Sequence, residues 1–219
     1  MSNLSMYTPA LFLEERLEIL DEFIQAHPFG ILVSNGPEAP LATHVPMYLV
    51  RENKASAVLR CHVARANPHW RTIESSPSVL AIFNGPHHYV TPSWYPSKEG
   101  HGRVVPTWNY ITVHATGKAR LFEGAKLIEH VAELTRRQEA VFENRWSVED
   151  APADYVNGLA KAIVGLEISI ERLEGKWKLS QNRPDADRAG VIKGLEGIAS
   201  AASLEIAEIM KTAAPPQSK

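Results

Sequence analysis

Residues 91–110, TPSWYPSKEGHGRVVPTWNY, hold two of the chain's five tryptophans, Trp94 and Trp108, with Tyr95 and Tyr110 beside them. Three prolines punctuate the stretch, and its middle carries Lys98, Glu99, His101 and Arg103. Rings of this kind present an apolar body and a polar tip, so they can wall a flat ligand or pack an interface. The sequence leaves both readings open for Trp94 and Trp108. A second stretch, CHVARANPHW (61–70), places His62, Arg65 and Asn67 ahead of Pro68, where a strand is expected to end and a helix to begin. Such a junction exposes backbone N–H groups, and an adjacent arginine would complete a phosphate site. Arg65 as a solvated cation and Asn67 as a helix cap explain the same residues. A third stretch, LATHVPMYL (41–49), sets Thr43, His44 and Val45 just before Pro46. Proline donates no ladder hydrogen bond, so this strand is expected at a sheet edge or a bulge, where backbone can meet a ligand.

Other chemistries lack their patterns. Nine histidines run from His27 to His130, but there is no HExxH motif and only one cysteine, Cys61. His87 and His88 are adjacent, which on a strand points them to opposite faces. No metal site is therefore expected. A haem needs only one axial histidine and stays open as an alternative. Neither GxGxxG nor GxxxxGK[ST] occurs, and neither Ser93 nor Ser180 has a nucleophile-elbow context.

The elements that must position these residues follow from periodicity. LEERLEILDEFIQAHP reads as a helix with Leu17, Leu20, Phe23 and Ile24 on one face, Glu14 and Glu15 in its first turn, and Pro28 as its stop. FGILVS and LATHVPMYLV flank a Gly/Pro break and read as a hairpin. ASAVLRCHVA, SVLAIFNG, YITVHATGKARLF and VGLEISIERLEGKWKLS read as further strands. In the last, Val164, Leu166, Ile168 and Ile170 alternate against an outward Glu167, Ser169 and Glu171. ANPHWRTIES reads as a short helix, and AKLIEHVAELTRRQEAVFE as a longer one with Leu127, Val131, Leu134 and Val141 along one side. VIKGLEGIASAASLEIAEIMK reads as one terminal helix, weakened at its start by Gly194 and Gly197. These elements predict a mainly β, α+β chain: about six antiparallel strands in a small barrel with helices outside. The divisions expected are an N-terminal helical segment (1–28), a barrel domain (29–180), a C-terminal helix (181–211) and a disordered tail (212–219).

Composition agrees with a folded, soluble chain: 219 residues, 44% hydrophobic, 22% charged, net charge −2. A slightly acidic balance lacks the electrostatic footprint of nucleic-acid binding. One cysteine and no apolar run of about 20 residues fit a reducing cytoplasm and no membrane span.

Five blocks, MYTPALF, HVARANPHW, YVTPSWYP, VPTWNYITVHATG and GKWKLSQNR, occur in order. Together they resemble the FMN-binding negative transcriptional regulators, the PaiB-like proteins. The resemblance implies a split β-barrel like that of the pyridoxamine-phosphate oxidases, usually a homodimer with FMN between subunits. It puts Thr43, His44 and Val45 along the isoalloxazine edge, and His62, Arg65 and Asn67 near the phosphate. Gln181, Asn182 and Arg183 resemble a late polar turn that reaches the flavin from the partner subunit. The chain departs from the oxidases where they carry Arg and Lys side by side, having Ala66-Asn67 instead. The resemblance also implies transcriptional repression, although no basic recognition helix is visible; Arg136-Arg137 sits among Glu129, Glu133 and Glu139. The rival reading is an enzyme on the same fold, either a flavin-dependent oxidoreductase or a haem-binding, haem-degrading protein.

Overall fold

The computed structural model describes residues 6–212. The expected tail lies outside these, apart from Thr212, which closes a helix. The elements are β1 (Leu13–Glu14), α1 (Leu17–Ala26), β2 (Phe29–Ser34), β3 (Leu41–Pro46), β4 (Tyr48–Asn53) and β5 (Ser56–Ala64). They continue with α2 (His69–Ser75), β6 (Ser78–Val90), α3 (Ser97–His101), β7 (Thr107–Phe122), α4 (Ala125–Glu139), α5 (Ala153–Ala160), β8 (Ile163–Lys178), α6 (Asp185–Ile198) and α7 (Ala201–Thr212). The strands form one sheet in the order β3-β2-β6-β7-β8-β5-β4, with β1 added beside β8. This is the expected α+β class, with eight strands in place of about six.

The surplus has two sources. Pro46 cannot extend the β3 ladder, so LATHVPMYLV, read as one strand, divides into β3 and β4 around Met47. Met47 turns away, and its N–H donates to the Pro28 carbonyl at 2.8 Å. The other source is β1. Glu14 does not open α1 as expected; Leu13 and Glu14 pair with Lys176 and Gly175 of β8. Its carboxylate instead accepts the Arg16 N–H and guanidinium at 2.6–2.9 Å. Glu18 is the acid in the helix's first turn.

Contacts divide the chain into two compact units. One comprises the stretches up to Leu20, Asn84–Val113 and Glu174 onward; the other comprises Asp21–Phe83 and His114–Leu173. In the second unit, β5 shows strict period-two burial: Ala57, Leu59, Cys61 and Val63 point into the core. β8 breaks that rule. Glu167, expected outside, is 2% exposed because three cations surround it, as described below. α4 ends at Glu139, so Val141, expected on its apolar side, is 83% exposed, while Leu127 and Leu134 are buried.

In the first unit, Ile111, Thr112 and Val113 of β7 are all buried. The single terminal helix becomes two. Ala199 adopts φ 56°, a left-handed conformation that ends α6, and Ser200 and Ser203 exchange hydrogen bonds that start α7.

Candidate functional site

β3 ends the sheet, as its proline predicted, and its central residues meet the turn after β5. Thr43 Oγ1 accepts from Asn67 Nδ2 at 3.2 Å and lies 2.7 Å from His69 Nδ1. The other imidazole nitrogen, Nε2, lies 2.9 Å from Ser34 Oγ. His69 is 2% exposed, and burial holds its pKa below the ordinary histidine value, so the ring is neutral. Asn67 donates to Thr43, and the neutral ring donates through one nitrogen and accepts through the other, so each meets one hydroxyl. The Asn67 Oδ1 accepts the His69 N–H at 3.0 Å, a local side-chain turn around Pro68, which is itself the N-cap of α2. His69 is not among the sequence's candidate site residues; its signal is a histidine directly after the Asn67-Pro68 pair, at the first residue of α2. On the outer side, His44 is exposed and stacks on Phe29 at a centroid distance of 6.2 Å, while Val45 is buried.

Arg65 sits in the same turn with different partners. Its guanidinium donates to the Lys161 carbonyl at 2.8 Å, the Ile163 carbonyl at 3.1 Å and the Glu123 carboxylate at 2.6 Å. It lines a depression of about 760 Å³ with Glu123, Gly124, Asn157 and Lys161. The Arg65 and Glu123 side chains are 39% and 57% exposed. A pair so open to water is worth at most about 1 kcal/mol, so an incoming anion exchanges with Glu123 at little cost.

His62 belongs to a third network. Its Nδ1 lies 3.0 Å from His130 Nε2, and His130 Nδ1 lies 3.3 Å from Tyr48 Oη. Burial lowers the His62 pKa. It pushes His130 down to about 3, with His62 and Arg60 adding repulsion. The Arg60 charge acts on Tyr48, and its guanidinium donates to Glu167 at 2.8 Å. Glu167 further binds Arg120 and, at 2.8 Å, Lys126. Burial works against this carboxylate, but the three cations hold its pKa at about 2. The residues expected around one phosphate, His62, Arg65 and Asn67, thus each enter a network of their own.

The aromatic stretch lies in the other unit, and its two tryptophans differ. Trp94 packs on α6: a Cβ at Gly190 would lie 2.0 Å from the Trp94 carbonyl oxygen, and one at Gly194 2.2 Å from its Cδ2. Gly194, which weakened the helix reading, and Gly190 together admit the indole, while nothing packs on Gly197. Trp108 is 51% exposed beside His87 and Tyr89, and lines a hollow of about 410 Å³ with Asn84, Gly85 and Tyr110. Lys178 donates to Thr107 and to the Trp108 carbonyl. Its pKa is lowered by burial and by the charges of Lys176 and Arg183. Arg183 lies over the Tyr95 ring at 4.7 Å. Gln181 closes its own turn, bonding the Trp177 carbonyl and the Leu179 N–H, while Asn182 is exposed. Among the described residues no group of His, Cys, Asp and Glu could hold a metal, and no helix is long and apolar enough to cross a membrane.

Residues 6–172 match the family model described as "Putative FMN-binding domain". Bacillus subtilis protease synthase and sporulation protein PAI 2 is 34% identical, over 94% of this chain and 97% of that protein. An uncharacterized protein of Emericella nidulans is 37% identical over 94% and 96%. Among solved structures, the flavocytochrome Anf3 of Azotobacter vinelandii superposes with TM-score 0.57 at 14% identity, covering 81% of this chain and 75% of that one. The FAD and heme binding protein of Mycobacterium smegmatis gives 0.57 at 12%, covering 80% and 77%. The architecture is therefore the split-barrel fold that these two proteins share.

The residues present fit a flavin mononucleotide. Its ribityl chain and phosphate call for neutral hydrogen-bonding groups and one exchangeable cation. β3 supplies the Thr43 hydroxyl, and the turn supplies the Asn67 amide and the Arg65 guanidinium, whose carboxylate partner Glu123 is exposed. The terminal strand offers a backbone edge for a flat ring.

Proposed function

This chain belongs to the FMN-binding-domain family, and we propose that it is a PaiB-type regulator that works as a homodimer and holds FMN along β3. In this reading Thr43, His44 and Val45 face the ring system, and Asn67 and Arg65 take the phosphate. Trp108 and the 181–183 turn complete the site of a second copy. His62 is left out, because its Nδ1 is committed to His130. Trp94 is left out, because α6 occupies its indole. The observation that carries the reading is the Thr43–Asn67–His69–Ser34 network on the sheet's terminal strand. It fixes two neutral polar side chains beside an arginine whose carboxylate partner, Glu123, is exposed.

FMN supplies a flat, redox-active ring and a dianionic phosphate; the protein's own residues bind and orient. Asn67 holds a hydroxyl or phosphate oxygen through its second N–H, while His69 keeps Thr43 in one rotamer. The homodimer is supported by the apolar surface at Trp108, Tyr89 and Val105, which are 51%, 43% and 65% exposed. With net charge −2 and no basic stripe, regulation runs through a partner or the flavin's redox state, not through tight DNA binding by the bare dimer.

One titration tests this. FMN added to purified protein should bind with its visible absorption bands, and the complex should sediment near twice 24.3 kDa. Arg65→Ala should weaken FMN about ten- to a hundredfold, since charge-assisted bonds are worth roughly 1.5–3 kcal/mol each. Glu123→Gln should tighten it severalfold by freeing Arg65. Affinity indifferent to both substitutions, or a Soret band in place of flavin bands, overturns the assignment.

A further inference from the structure

α4, α5 and the segment between them enclose an apolar pocket of about 370 Å³ that the flavin site does not use. Its walls include Val131, Trp146, Val148, Val156 and Leu159. The polar feature among its lining side chains, apart from the Trp146 and Tyr155 tips, is His62. We propose that this pocket is a binding site for a small uncharged apolar molecule carrying one hydrogen-bond-accepting oxygen, such as a ketone, which His62 Nε2–H recognises.

The direction of the proton chain carries the argument. The Arg60 cation lies beside Tyr48, so the phenolic lone pairs face it and the phenol proton points away. Tyr48's own proton then has one acceptor within reach, His130 Nδ1. With Nδ1 accepting, the neutral His130 carries its proton on Nε2 and donates to His62 Nδ1. His62 must therefore carry its proton on Nε2, which has no partner among the described residues. The result is a single N–H, oriented by a chain anchored at Glu167, on the wall of an otherwise apolar pocket.

Size and charge select the ligand. A volume of about 370 Å³ suits a small molecule, the usual range being roughly 300–1,000 Å³. Burial keeps both imidazoles neutral, so a carboxylate would find no counter-charge there and would lose its hydration. An uncharged acceptor gains the N–H bond without that loss.

The test uses FMN-saturated protein and two probes of nearly equal size, 2-acetonaphthone and 2-ethylnaphthalene, in equilibrium dialysis. The ketone should bind one per chain and about five- to tenfold more tightly than the hydrocarbon, the worth of one net hydrogen bond. His62→Phe should abolish that preference while leaving the hydrocarbon bound. Val156→Trp, which fills the pocket, should remove both probes; circular dichroism confirms that each variant is folded. The proposal fails if neither probe binds, if the two bind equally to the unsubstituted protein, or if Val156→Trp leaves binding intact. It fails also if raising FMN displaces the probes, since the pocket would then be part of the flavin site. Because the protein is FMN-saturated throughout, loss of probe binding and loss of flavin binding are read separately.

Discussion

His69 and His130 are both buried neutral histidines, 2% and 1% exposed, yet they are held in opposite ways. His69 is closed: each ring nitrogen meets a hydroxyl, and the hydroxyl of Thr43 is itself fixed by Asn67. His130 is a link in an open chain, from the buried Glu167 ion cluster through Arg60 and Tyr48 to His62 at a pocket wall. A closed network fixes a rotamer, as a cofactor's first contacts require. An open one aims an unsatisfied donor, as recognition of a further ligand requires.

Breaking the anchor of the open chain should produce the largest effect. Glu167→Ala removes the buried carboxylate that three partly exposed cations share and should cost about 2–3 kcal/mol in guanidinium denaturation. FMN affinity should stay within about twofold, because the closed network shares none of these residues. A loss below about 1 kcal/mol would mean the chain is not anchored there.

Acid should separate the two histidines next. His130 is held at about 3 in the folded state against an ordinary 6.5, so unfolding takes up a proton wherever pH lies between those values. Stability is thus full above about pH 7 and falls as pH drops below 6.5. At 1.36 kcal/mol per unit the loss by pH 5 is roughly 2 kcal/mol. Urea midpoints across pH 5–8 measure it, and His130→Gln should flatten most of the slope. His62 and His69, lowered in the same direction, supply the remainder.

Opening the closed network comes third. Ser34→Ala leaves His69 Nε2 buried without its hydroxyl partner, a loss of about 1–2 kcal/mol with FMN binding weakened severalfold. If FMN affinity does not change, the network is structural only. Asn67→Ala should be mildest, about 0.5–1 kcal/mol, since it removes the cap-like bond to the His69 N–H at a partly exposed position. A shift of a few degrees in melting temperature reads it out.

Sequence alone determined the class of the fold, the edge position of β3 and the motif blocks that mark the family, because each is local. Alternation buries one strand face, proline vetoes a ladder bond, and glycine or proline punctuates turns whatever lies elsewhere. The 43–45 strand and the 62–67 turn were legible as candidate sites for the same reason. What sequence could not determine was partnership. Arg65 meets Glu123, 58 residues away, and His62 meets His130, 68 residues away. Glu167, outward by alternation, is buried because Arg60, Arg120 and Lys126 converge on it. Trp94 and Trp108, equivalent as letters, became a packed ring and an exposed one through Gly190 and Gly194. Strand and helix periods say which way a side chain points from its own element. Only the tertiary structure decides what stands opposite, and in a desolvated interior that neighbour sets charge, protonation and role.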